Sequence, residues 1–159
     1  MTEPSSAVSA TPTPARAIDR PPWQTWVIGL VVLVVNLLRL VDAVFSLTGN
    51  AWYFKQLGYT REQIGYFTEI GWLSAAVWAV AIFTGIAGAL FLLARRRLAV
   101  PVLLIAAIAQ AVLLVVGLTL LSSWTALGPA LTTWGVLMLL VVGFAAGCAW
   151  RLDRRGRLR

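Results

Sequence analysis

Apolar residues in this chain do not alternate with polar ones; they run on. Four stretches, about Trp23 to Leu47, Phe67 to Ala94, Leu98 to Leu121 and Pro129 to Trp150, are nearly continuous hydrocarbon. Each exceeds the roughly 18 residues that mark a transmembrane helix across a bilayer core of about 30 Å. The pattern predicts an all-α polytopic membrane protein, a four-transmembrane-helix bundle occupying residues 23–150.

Composition agrees. Of 159 residues, 60% are hydrophobic and 12% charged, against about 25% charged in a soluble domain. The spans leave no room for a soluble domain. The first 22 residues, rich in Pro, Ser, Thr and Ala, show no apolar period and are expected to form a disordered tail ending at Pro21 and Pro22. Residues 151–159, RLDRRGRLR, form a short basic tail. The first apolar run is longer than the core of a signal peptide and is interrupted by Arg39 and Asp42. No small-x-small cleavage site follows it, so it reads as a retained helix.

Charge adds orientation. Arg16 and Arg20, then Arg95, Arg96 and Arg97, then Arg151, Arg154, Arg155, Arg157 and Arg159 all fall on one side of a four-span protein, whereas Lys55 and Arg61 fall on the other. The positive-inside rule puts both termini in the cytoplasm. Topology thus accounts for the net charge of +7 without nucleic acid. Trp23, Trp26 and Trp150 at one face, and Trp52, Tyr53 and Trp124 at the other, are placed as interfacial anchors.

The first outer loop is the only sizeable piece between spans. Thr60 and Gln63 have capping-box spacing, so a short helix is expected to start there and run into the second span. The loop's aromatic residues, Tyr53, Phe54, Tyr59, Tyr66 and Phe67, suit either a segment lying on the membrane surface or a lid over the bundle.

The hydrophobic effect gives no net attraction between helices in lipid, so small residues mark close approach. Ala81, Gly85 and Ala89 in the second span, and Gly143 and Gly147 in the fourth, are candidate helix-packing positions. Asn36, Thr84 and Gln110 each fall roughly 15 to 18 Å into the membrane and are expected to form one polar layer near the midplane. Arg39 and Asp42, three residues apart on the first helix, can pair. With Glu69 they outline an outward-facing polar pocket beside Tyr66 and Trp72; the alternative is an ion pair that fixes helix register.

Several chemistries are disfavoured. The chain has no His and one cysteine, Cys148, so it lacks the usual ligands for zinc, haem or iron–sulfur centres, and no cofactor is expected. Acid–base catalysis has few candidates; a lipid- or quinone-linked membrane enzyme is the residual enzymatic reading.

A further set of residues carries a resemblance. Asn36 and Asp42, then Thr48, Asn50 and Tyr53, then Glu62, Gln63, Tyr66 and Phe67, then Trp72, Ala75, Trp78 and Ala79, then Gly85, Gly88, Leu90, Leu92, Leu93 and Arg95 together resemble a group of small four-helix bacterial inner-membrane proteins. That group is functionally uncharacterised, and some members carry a sugar-transporter label. The resemblance covers roughly residues 30 to 110 and implies a multi-pass protein of the bacterial plasma membrane. Arg39 stands where much of the group has a small residue.

Two functions emerge. The first is a non-enzymatic accessory or scaffold protein, assembling through its small-residue stripes with itself or a larger membrane complex. The second is a small-solute transporter or solute-binding membrane protein using the pocket of Asn36, Arg39, Asp42, Glu69, Thr84 and Gln110. In both the immediate partner is the lipid bilayer.

Overall fold

The computed structural model describes residues 23–69, 71–119 and 123–158, and the expected N-terminal tail, with Arg16 and Arg20, lies outside them. Within the described residues the chain is all-helical: α1 Trp23–Leu47, α2 Ala51–Leu57, α3 Arg61–Thr68, α4 Trp72–Leu93, α5 Ala99–Thr119 and α6 Ser123–Arg154. Four stretches are long and apolar enough to cross a membrane: α1, α4, α5 and the Thr132–Arg154 part of α6.

Burial follows narrow stripes. On α1 the buried positions are Thr25, Gly29, Val32, Asn36, Arg39, Ala43 and Ser46, steps of four and three residues that trace one seam. The rest of that helix exposes Leu30, Val34, Leu37, Leu38 and Val44. A helix that hides its polar residues and shows leucine and valine outside has lipid as its solvent.

The helices pack in the order α1–α4–α5–α6, each against the next. Close approach depends on glycine at two points on α4. A Cβ on Gly85 would meet Asn36 Cγ of α1 at 2.7 Å, and one on Gly88 would meet Leu103 Cγ of α5 at the same distance. Ala81 and Ala89 are buried beside them, so the α4 stripe is consumed by packing inside the monomer. Gly143 and Gly147 differ: both are exposed, with nothing within 4 Å of a Cβ at either. They take no part in closing the bundle.

At the end where the described residues begin and end, Val32, Ala89, Leu92, Ala99, Leu103, Ala145, Ala146 and Ala149 of α1, α4, α5 and α6 form an apolar core. Small residues let the backbones converge there. Trp23, Trp26 and Trp150 stand exposed at this end, with the Arg154 guanidinium 3.9 Å from the Trp150 ring centre. Trp52 is exposed at the opposite end, and the side chain of Trp124 lies outside the described residues.

Several boundaries differ from those the sequence implies. The second span begins at Trp72, because Gly71 N-caps α4 in an extended conformation; the helix begun at Thr60 is therefore separate and ends at Thr68. Its capping box is formed, with Thr60 N donating to Gln63 Oε1 at 2.9 Å and Gln63 N to Thr60 Oγ1 at 3.3 Å. α2 was not anticipated; Asn50 caps its start and left-handed Gly58 ends it. Gly128, at φ 75° and ψ 173°, breaks α6 just before Pro129, where proline suits the first turn of the continuing helix. The expected end of the third span at Leu121 lies outside the described residues.

Residues 151–158 of the basic tail are folded against the bundle. α6 continues to Arg154, Gly156 turns left-handed, and Leu158 is buried. Arg95, itself at φ 57°, donates to the Arg157 carbonyl at 3.1 Å, and Arg97 Nε to the Leu158 carbonyl at 3.4 Å. Arg97 also lies 3.5 Å from Asp153.

Gly85→Ala is expected to lower stability by about 1 to 3 kcal/mol, since Asn36 is fully buried and cannot yield without losing its bonds. Gly143→Ala should be neutral. Unfolding of both variants in detergent, followed by circular dichroism, checks the contrast.

Candidate functional site

Halfway along the bundle the apolar core gives way to polar side chains. Asn36, with no exposed surface, donates from Nδ2 to the Val32 carbonyl at 2.8 Å. Its Oδ1 accepts from Arg39 Nη1 at 3.4 Å. Arg39 Nη2 donates to Gln110 Oε1 of α5 at 2.5 Å, and Gln110 Nε2 reaches the Gly135 carbonyl of α6 at 3.5 Å. One layer thus joins α1, α5 and α6, while Gly85 of α4 makes room for it.

This layer is not the one the sequence outlines. Thr84 is outside it: its hydroxyl donates to its own helix, at the Val80 carbonyl, the usual local recourse of a threonine in a membrane helix. Arg39 replaces it as the connecting residue. Among the described residues Arg39 and Asp42 form no ion pair within 4.0 Å. Asp42 Oδ1 instead accepts from the Tyr53 hydroxyl at 2.6 Å and lies 3.5 Å from the Ser46 hydroxyl. Glu69 is exposed and caps the end of α3 through its backbone. Neither it nor Trp72, which is 81% exposed, joins the cluster.

Above the layer α1 and α6 diverge, and a cavity of about 620 Å³ opens between them. Its floor is Arg39 and Gln110; Asp42 and Gly135 stand on its sides; Trp78 and Met138 help form its walls. The rims are Leu38 and Val41 on α1 and Trp134 on α6, 65%, 50% and 52% exposed. The opening therefore faces sideways, towards the hydrocarbon.

α2 and α3 form a roof. Tyr53, Leu57, Tyr59, Tyr66 and Phe67 line the cavity from above. A run of ring contacts carries the roof from α1 to α4: Phe45–Tyr53 at 5.1 Å, Tyr53–Phe54 at 6.2 Å, Phe54–Tyr59 and Tyr59–Phe67 at 5.7 Å, and Phe67–Trp78 at 6.1 Å. Such pairs each contribute about 0.5 to 1.5 kcal/mol beyond the area they bury. Of the two sequence readings of this loop, the lid is the one whose geometry is present, latched by Tyr53 onto Asp42. Tyr53 and Tyr59 were placed by the sequence in the loop but not on the polar cluster, and Trp134 and Met138 are lining residues that it did not single out; the N-cap Asn50, three residues before Tyr53, is the signal that would have placed Tyr53 on a helix.

The chemistry of the site centres on Arg39. It is 8% exposed and about 12 Å along the helix from Leu47, at a depth where a charge costs at least about 2.5 to 3.5 kcal/mol. Its two bonds go to neutral amide oxygens. A guanidinium has five N–H donors in a fixed fork, so most of its donor capacity is uncommitted beside the cavity. Among the described residues no group of three or more His, Cys, Asp or Glu is placed to hold a metal ion.

No protein-family model, curated protein or solved structure matches the chain.

Burial, the bond to Asp42 and that carboxylate's charge push the Tyr53 phenol well above its usual value of 10.0. Burial, then Asp42, raises Tyr59, and burial alone raises Tyr66. The folded lid holds these protons more tightly than an unfolded chain. The stability they contribute is intact below about pH 10 and is lost as pH rises through that value towards the folded-state values. These are the chain's three tyrosines, so the whole tyrosinate absorbance should appear above the free-tyrosine range and shift down on denaturation. Tyr53→Phe should remove the highest-titrating component and lower stability by about 1 to 2 kcal/mol.

Proposed function

We propose that the protein is a non-enzymatic, solute-binding protein of the bacterial plasma membrane, with its binding site in the lidded cavity between α1 and α6. The observation that carries this reading is Arg39: a buried guanidinium, bonded only to neutral oxygens, lining a cavity large enough for a small molecule. Ligand sites are typically cavities of about 300 to 1,000 Å³ with mostly apolar walls and a few convergent polar groups, and intramembrane charges mark such sites. The reading is supported by the hydrogen bonds of Arg39 and Asp42, which go to other residues and not to each other. The label carried by some members of the resembling bacterial group points the same way, towards solute transport.

The accessory or scaffold reading keeps one supporting observation, the open small-residue face at Gly143 and Gly147. Assembly through that face would be lost in Gly143→Leu with Gly147→Leu, read as a change of oligomeric mass in detergent.

Both termini are assigned to the cytoplasm in this reading, supported by Arg95, Arg96, Arg97, Arg151, Arg154, Arg155 and Arg157 at one end of the bundle. Gln56→Cys on the exposed face of α2 should then react with a membrane-impermeant maleimide in intact cells, and Arg155→Cys only after lysis.

The binding function is tested by purifying the protein from its native membrane in mild detergent and identifying everything retained by mass spectrometry. A small molecule at near one per chain is expected, lost in Arg39→Leu with Asp42→Leu while fold and oligomeric mass are kept. A stoichiometric protein partner with no small molecule would overturn solute binding in favour of an accessory subunit.

A further inference from the structure

We infer that the cavity takes a membrane-partitioned amphiphile of single negative charge, its oxyanion head on Arg39 and its apolar tail leaving sideways between α1 and α6. This rests on the solute-binding reading and narrows it to a ligand class.

Three observations converge. The first is the donor set. Arg39 commits Nη1 to Asn36 and Nη2 to Gln110, which holds the guanidinium plane in place, and the donors left over suit the paired oxygens of a carboxylate or a phosphodiester. The second is the sign and size of the charge. Asp42 lines the same cavity, one helical turn from Arg39, at about 4.5 Å of rise. Tyr53 and Ser46 hold its carboxylate with neutral donors. Its charge repels a second negative charge on the ligand, so a monoanion is favoured over a phosphate monoester.

The third is the entrance. Leu38, Val41 and Trp134 form an apolar rim at the depth of the acyl chains, while the lid covers the cavity on the side of the α1–α4 connection. A water-soluble anion would have to pass the packed rings of Tyr53, Tyr59 and Phe67. A lipid-like molecule enters from where it already resides, and its tail replaces acyl chains against the rim.

The test uses the full chain in phosphatidylcholine nanodiscs and equilibrium binding of radiolabelled oleate. Saturable binding of one oleate per chain is expected, weakened about tenfold or more by Arg39→Gln and not displaced by oleyl alcohol, which has the tail without the charge. Displacement by phosphatidylglycerol added to the discs would assign the head to a phosphodiester lipid; its failure to displace would assign the site to free fatty acid. Both results support the inference.

Displacement by oleyl alcohol, or binding of benzoate in place of oleate, would overturn it and leave solute binding standing. Absence of oleate and phosphatidylglycerol binding would also overturn it. If the purified protein then carried no small molecule either, the solute-binding reading would fail with it. Should Arg39→Gln not fold, Val35→Trp, which fills the cavity from α1, takes its place. A folded Val35→Trp that bound oleate as tightly as the parent protein would equally overturn the inference.

Discussion

A polar group in hydrocarbon has no water to fall back on, and the arrangement of this bundle follows from that constraint. Asn36, Arg39 and Gln110 sit at a depth where an unmet donor costs several kcal/mol. Their bonds run from Val32 through Asn36 and Arg39 to Gln110 and on to the Gly135 carbonyl. Rotating α1, α5 or α6 about its axis would break at least one of them. Each bond adds on the order of 1 kcal/mol or less to stability, so the layer selects one arrangement more than it strengthens it. Glycine at position 85 completes the selection, because any larger residue would collide with Asn36.

The same layer divides the bundle into two unlike halves. At the end where the described residues begin and end, buried alanine and leucine side chains of four helices meet in one cluster, and Arg157 and Leu158 fold back onto Arg95 and Arg97. On the other side, α1 and α6 separate, and the space between them is walled by large residues and roofed by α2 and α3. A cavity in lipid survives when its walls are held apart. Here the rings joining Phe45 to Trp78 and the Tyr53 latch on Asp42 fix the roof over α1 and α4.

The four spans were legible because length and apolar composition alone identify a membrane helix. The capping box of Thr60 and Gln63 was legible because its two bonds are local. α2 was hidden by its brevity: seven residues carry no readable period, and Asn50 and Gly58 look like ordinary loop residues until a helix lies between them. The site was half legible. Spacing on α1 located Asn36, Arg39 and Asp42 on one face, but spacing describes which pairs are possible, not which compete best. Arg39 bonded a glutamine from another helix, and Asp42 a tyrosine eleven residues on, so the near-neighbour pair never formed. Thr84 went to its own backbone for the same reason, since the nearest acceptor was already in place. Gly143 and Gly147 show the limit of small-residue stripes, which read alike in the sequence whether they face a neighbour or the lipid.

The bond between Arg39 and Gln110 spans 71 positions of the chain, and this has a bearing on how the protein is made. At synthesis rates of about 5 to 20 residues per second, Gln110 follows Arg39 out of the ribosome by roughly 4 to 14 s. Gly135, which fixes Gln110 in turn, comes later still. During that interval α4 is made and can pack against α1, but the Arg39 guanidinium lacks the partner that later anchors it. It has to reach towards the headgroups or remain beside the insertion machinery until α5 arrives. The residue on the floor of the cavity is thus also one whose contacts are complete only after the third span has been made.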